Sequence, residues 1–258
     1  MLKPTLIALG ALSAATHMGG FPGERRTAAF DAEDVLARSY AAYAALNSYA
    51  DSGTVVDESN GFRDRFTFRT LQTRQPRNFL LDFRYAGSEY DNGFKIDGGE
   101  RTVIWMQNGD LQTWNSKTEE HATYPEDGGR QVDALTGASN ATRGVSVLVP
   151  SLIYIKANMA SVLRATEDAV AAGTETIGGR PCFKVMGIER WRFPNGRITG
   201  VRPVTVWIDS ETYLIRKLPE DTPKDSQRGR ISRRVFTFEP HANPPIQTSQ
   251  FQYAVPES

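Results

Sequence analysis

The sequence predicts an α+β domain built on one large antiparallel sheet, and three observations predict it. From Tyr49 onward apolar and polar residues alternate with period two through most of the chain. One amphipathic helix precedes the first alternating run, and a single insert at 125–168 interrupts the alternation before it resumes. The length of 258 residues suits one large domain or two small ones and buries a sizeable core, and no repeat or compositional shift cuts the chain in two.

The N-terminus reads as an export signal. Met1-Leu2-Lys3 gives a positive start, the stretch from Thr5 to Ala15 is apolar, and Ala11-Leu12-Ser13-Ala14-Ala15 offers small residues for cleavage. That apolar run is too short to span a bilayer, which takes about 20 residues. The expected organisation is therefore a signal peptide at 1–20, a leader at 21–30 and one domain at 31–258. The stretch 16–30, with Gly19-Gly20 and Pro22-Gly23, shows no periodicity.

The domain opens with a helix. Asp31 is a good N-cap, Glu33 and Asp34 favour the first turn, and Val35, Leu36, Tyr40, Tyr43 and Leu46 form an apolar face ended by Asn47-Ser48. Two strands follow. Phe62, Phe66 and Phe68 share one face with Arg63, Arg65 and Arg69 opposite; Phe79, Leu81, Phe83 and Tyr85 share a face with Asp82 and Arg84 opposite. Pro76 marks their connection. Short strands are expected around Gly93–Ile96, Thr102–Met106, Leu111–Asn115 and Glu119–Thr123, with hairpin-like turns at Asp97-Gly98-Gly99 and Asn108-Gly109-Asp110.

In the insert, the run from Gln131 to Leu135 is helical in pattern. Residues Val145 to Ile155 are strongly apolar with Pro150 interrupting them, and Asn158 to Asp168 suits another short helix. Strands resume near Ala169–Ile177, Cys182–Trp191, Gly200–Asp209, Tyr213–Leu218, Ile231–Phe238 and Gln247–Tyr253. The charged stretch from Pro219 to Gly229 is expected to be a mobile loop.

Several function classes find no support. Net charge is zero, with 30 basic and 30 acidic residues, so no overall field attracts nucleic acid. The arginines at 63, 65, 69, 228, 230, 233 and 234 read better as a solvated outer sheet face than as a nucleic-acid stripe. His17, His121 and His241 have no partner at metal-ligand spacing. There is no Gly-x-Ser-x-Gly elbow, and Gly178-Gly179 does not make a phosphate loop. Asp97 and Asp209 read as turn residues. Cys182, the sole cysteine, reads as a buried small hydrophobe, and no cysteine near the cleavage region offers lipid anchoring. No enzyme and no cofactor is expected. An enzyme would need a cleft gathering Asp97, His121 or Glu119.

The apolar side carries the functional expectation. Phe66, Phe68, Leu81, Phe83, Trp105, Val206 and Ile208 are expected on one face of the sheet, with Leu148 and Leu152 supplied by the insert. Either the insert and first helix plug this face as a core, or they leave an apolar cavity.

Four segments then resemble the LolA-like family of periplasmic outer-membrane lipoprotein carriers and their relatives. The run from Leu46 to Val55 resembles its helix-to-strand passage, and Ile96-Asp-Gly-Gly-Glu-Arg-Thr-Val-Ile-Trp its "dG…w" segment. Thr176-Ile-Gly-Gly-Arg-Pro-Cys-Phe-Lys-Val resembles a strand start, and the run from Val204 to Arg216, with Trp207-Ile208-Asp209, its last hairpin. The resemblance implies a curved, incomplete antiparallel barrel (a LolA-like half-barrel) with helices over its open face. It implies a periplasmic, non-enzymatic binder or carrier of lipid, lipoprotein acyl chains or another apolar ligand. The alternative is an envelope sensor or protein-interaction module with a plugged core. The likeness is to the uncharacterised members, because the connections Arg190–Pro203 and Pro219–Gly229 are long. The carriers' arginine-to-helix latch has no single matching residue.

Overall fold

A computed structural model describes residues 30–59, 61–107, 109–126, 129–153, 162–192, 197–222 and 232–256. The expected signal and most of the expected leader lie outside them.

Helix α1 (Ala32–Ala44) starts where its cap is: the Asp31 carboxylate accepts from the backbone N–H of Glu33 at 2.9 Å and of Asp34 at 3.3 Å. Strands β1 (Ser48–Ser59), β2 (Phe62–Thr73) and β3 (Asn78–Tyr90) form a meander, followed by β4 (Lys95–Asp97), β5 (Arg101–Gln107), β6 (Asp110–Asn115) and β7 (His121–Tyr124). The insert folds as α2 (Gly129–Gly137), α3 (Val145–Ile153) and α4 (Val162–Ala165). Then come β8 (Thr166–Ile177), β9 (Arg180–Arg192), β10 (Ile198–Asp209), β11 (Ile215–Thr222), β12 (Ser232–Ala242) and a 3-10 turn at Thr248–Phe251.

The strands form one antiparallel sheet of order β7-β6-β5-β3-β2-β1-β12-β11-β10-β9-β8, with β4 also against β3. Chain-distant β1 and β12 zip the halves together from Tyr49↔Ala242 to Ser59↔Ser232. Among the described residues β7 and β8 each pair on one side only, so the barrel is incomplete. A flat sheet of this width would span about 50 Å, whereas α1 is about 20 Å long. Curvature lets all four helices share one core: Val35 and Tyr43 of α1, Leu135 of α2, Val149 and Leu152 of α3 and Leu163 of α4 join Ile104, Phe68, Phe236, Val206 and Val185 of the sheet. This is the expected half-barrel with helices over its open face.

Gly53 of β1 lies between β2 and β12 with no room for a side chain. A Cβ there would lie 2.3 Å from Phe68 Cζ and 2.3 Å from the Thr237 carbonyl oxygen. Backbone cannot yield as a flexible side chain does, so Gly53→Ala is expected to destabilise by about 3 kcal/mol, read as a lowered urea midpoint with unchanged slope.

Five expectations are corrected. Asp97-Gly98-Gly99 is not a hairpin: β4 and β5 lie end to end along β3, with Gly87↔Asp97 and Arg84↔Arg101. Gly98 makes the step because a Cβ would meet the Tyr85 oxygen at 2.2 Å. Residues 247–253 are not a strand; a capping box between Gln247 and Gln250 turns them into the 3-10 segment. Most of Arg190–Pro203 is strand, Pro203 pairing with Ile188, and Pro219 lies inside β11 opposite Val235; 223–229 lie outside the described residues. Pro150 lies inside α3 rather than ending it, because burial of Val145, Val149, Leu152 and Ile153 offsets the lost backbone bond. The last helix of the insert shrinks to α4, since β8 begins at Thr166; residues 158–161 lie outside the described residues.

Candidate functional site

The concave face is built by parity. On β2 the inward residues are Asp64, Phe66, Phe68, Thr70 and Gln72; on β3 they include Phe79, Leu81, Phe83 and Tyr85. Phe66 stacks on Phe83 with centroids 5.3 Å apart, and Phe68 meets Phe238 edge-on at 5.8 Å. Phe66, Phe68, Leu81, Phe83, Leu152, Val206 and Ile208 all belong to this one core, each at most 5% exposed, and partly buried Leu148 packs against it.

Trp105 does not join them. Ile104 faces Leu81 across the ladder and Trp105 faces Leu80, so Trp105 points to the outer side. There it packs with Leu71, Leu80, Val103 and Trp114 beneath Phe251 of the C-terminal segment, and with Tyr253 at 5.2 Å. Both faces of β5 are buried, which hides the alternation in its apolar run.

The roof of the concave face is α1 and α3, and Arg74, just past β2, ties them together. Its Nε donates to the Leu46 carbonyl at 2.9 Å, and its Nη2 donates to the carbonyls of Tyr43 and Ile153 at 3.2 Å each. Neither helix has a basic residue in its last turn, so this guanidinium supplies the cation for both C-termini.

A row of charges crosses one end of the concave face. Asp64, Asp57, Arg234, Glu220, Arg202 and Glu189 are register neighbours on successive strands or joined by ion pairs. Arg234 Nη2 lies 3.3 Å from Asp57, and Arg202 bridges Glu189 at 2.5 Å and Glu220 at 2.8 Å. Burial works against the Arg202 charge, but Glu220 and Glu189 outweigh it and raise its pKa. From the insert, Arg143 lies over the Phe66 ring at 5.0 Å and reaches Asp64 at 3.6 Å. Arg234 is thus an inward residue rather than part of a solvated outer face, whereas Arg63 is outward and pairs with Glu58 at 2.7 Å. The signal was present: Asp57 shares parity with Val55, Asp64 with Phe66, Arg234 with Phe236 and Arg202 with Val204.

Beneath α1 a second polar group is buried in the core. The Tyr49 hydroxyl donates to Asp51 at 2.9 Å, the Glu239 N–H donates to the same carboxyl at 2.9 Å, and Tyr43 accepts from the Ile215 N–H at 3.1 Å. Burial pushes Asp51 up to about 8, against the pull of these hydrogen bonds. Desolvation also raises the phenols of Tyr43 and Tyr49.

His121 stacks on Trp105 on the outer side, 3.1 Å from Gln112 Oε1, and exposed Asp97 lies on β4. Asp209 is more than a turn residue: it accepts from the N–H groups of Glu211 and Thr212 and pairs with Arg216 at 3.0 Å and Arg180 at 3.3 Å. Burial would raise its pKa, but those donors lower it. Cys182 is buried, and desolvation raises its thiol. Among the described residues no three His, Cys, Asp or Glu side chains converge on a metal position, and no helix is long and apolar enough to cross a membrane.

An open cleft of about 440 Å³ runs along the seam between α1, α4 and the free edge at β8, lined by Leu36, Ala37, Tyr40, Leu163 and Ala169 together with Glu33, Arg164, Thr166 and Asp168. Neither it nor a larger cleft of about 840 Å³, with Arg180, Arg216 and His241, is lined by any of the nine predicted residues.

No family model and no curated protein matches the chain. Among solved structures it is similar to the Mycobacterium tuberculosis lipoprotein LppX, at 13% identity and TM-score 0.44 over 84% of this chain and 97% of that one. It is similar to LprF from Mycobacterium bovis, at 14% and 0.45 over 88% and 96%. A LolA superfamily protein from Nitrosomonas europaea matches at 12% and 0.33 over 87% and 99%. At these values the likeness is one of fold and bears on no ligand or partner.

Proposed function

We propose that the chain is an exported, non-enzymatic carrier or binder of lipid or another apolar ligand, working in the periplasm. One observation carries this reading: the aromatic concave face of an open sheet is roofed by short helices, and at the seam between that roof and the β8 edge a cleft sets Leu36, Tyr40 and Leu163 among the polar side chains of Glu33, Arg164, Thr166 and Asp168. Acyl chains would enter at Leu36, Tyr40 and Leu163 as α1 and α3 lift, and lie against Phe66, Phe68 and Phe83. Burial of apolar surface is worth about 25 cal/mol per Å², so one chain displacing water from that face binds usefully. The N-terminal signal pattern supports export.

A second reading, a plugged core whose surface binds an envelope protein, is favoured by the near-complete burial of the predicted lining. Native mass spectrometry after gentle purification separates the two. A co-purified lipid mass and uptake of a fluorescent fatty acid are expected; a ligand-free mass with no uptake would leave only the second reading.

A further inference from the structure

We propose that Gln72 and Thr70 form a polar subsite on the concave face for the uncharged hydrogen-bonding group of an acyl lipid. This rests on the carrier reading above. Both side chains point inward by the same parity as Phe66 and Phe68, and both are 0% exposed. In the ladder Gln72 faces Tyr49 and Thr70 faces Asp51 on one side; on the other they face Phe79 and Leu81. Neither amide atom of Gln72, nor the Thr70 hydroxyl oxygen, has a hydrogen-bond partner among the described residues. Buried polar groups are nearly always partnered, and those that are not call for an explanation. The neighbouring hydroxyl is committed, since Tyr49 already donates to Asp51.

The chemistry left open is two N–H donors and a carbonyl acceptor on Gln72, with a hydroxyl on Thr70. A ligand hydroxyl or ester complements it. A carboxylate or phosphate fits less well, because burial at this depth already works against the neighbouring Asp51 carboxylate, and the nearby cations are engaged, Arg74 on three carbonyls and Arg216 on Asp209. From Gln72 the face runs along β2 past Phe68 to Phe66, about 20 Å at strand rise, a length that suits a long acyl chain. The geometry therefore selects a neutral lipid of the monoacylglycerol type, head toward Gln72 and tail over the phenylalanines.

The test uses the full chain with monoolein, oleate and pyrene as probes, and the variants Gln72→Leu and Thr70→Val. Wild type is expected to prefer monoolein to oleate. Gln72→Leu is expected to weaken monoolein about tenfold, the worth of one or two hydrogen bonds, while pyrene affinity holds and the melting temperature holds or rises. Thr70→Val carries the same test if the first variant does not fold. Monoolein affinity unchanged in the variant, or all probes weakening together with a fall in melting temperature, overturns the subsite. Wild type that binds pyrene and oleate without preferring monoolein sinks the subsite alone, and wild type that binds no probe sinks the carrier reading with it.

Discussion

Arg74→Leu is expected to lower the melting temperature by about 10 °C and to speed ligand exchange severalfold. The guanidinium serves three carbonyls, those of Tyr43, Leu46 and Ile153. Hydrogen bonds from a charged donor contribute roughly 1.5–3 kcal/mol each when desolvated. These three are only part-buried, so about 3 kcal/mol in all is a fair figure after solvent screening. For a domain of this size each kcal/mol moves the melting temperature by about 2–4 °C. The loss is concentrated at the roof, because the same side chain joins the end of α1 to the end of α3, whereas the Arg74 backbone bond to Asn47 survives the change. Arg74→Lys separates charge from geometry: an ammonium is a point donor without the planar fork, so an intermediate result is expected. Calorimetry and stopped-flow release of a fluorescent fatty acid measure the two effects. If Arg74→Leu melts within two degrees of the parent and releases ligand at the same rate, apolar packing alone holds the roof.

Much of the sheet was legible because its faces differ. Phe66 and Phe68 alternate with Arg65 and Arg69, and one face is buried while the other meets water, so parity assigns the inside directly. The reading failed on β5, where Ile104 and Trp105 are both buried against different partners. Pattern cannot distinguish two apolar faces, and the cover over Trp105 comes from Phe251, far along the chain. Arg74 was invisible for a different reason. In Thr73-Arg74-Gln75-Pro76 it looks like a turn cation, and its acceptors are backbone atoms 28, 31 and 79 residues away, which carry no side-chain signature. The charged row was readable in principle: Asp57, Arg234 and Arg202 each occupy an inward parity position, but a charge at a strand end passes easily for a solvated terminus. Gln72 and Thr70 follow the same inward parity, yet continue a run whose apolar members draw attention first.

Asp51→Asn is expected to stabilise the protein at pH 8 by a few kcal/mol and to remove most of its pH dependence between pH 5 and 8. Asp51 is 3% exposed, and burial raises its pKa from 3.8 to about 8. An acid whose folded pKa exceeds its unfolded one keeps its proton in the fold while the unfolded chain has lost it. Over that interval the native state binds more protons, so stability falls as pH rises, by about 1.4 kcal/mol per pH unit for a fully effective group. The contribution is complete below about pH 4 and is spent above about pH 8. The amide cannot ionise, and its oxygen can still accept from Tyr49 or from the Glu239 N–H. Nearby Glu239 raises the carboxyl further and Arg216 lowers it, so part of any residual slope belongs to them. The consequence reaches the roof, because Tyr49 bonds Asp51 and its ring lies 6.1 Å from that of Tyr43 on α1. Ionising Asp51 places an uncompensated charge directly beneath that helix, and the weakening is expected to appear first as faster amide exchange in α1. Urea titrations of both proteins at pH 5, 6, 7 and 8 give the stability curves. Parallel curves would mean that Asp51 is already ionised in the fold, held by Tyr49, the Glu239 N–H and Arg216 against its burial.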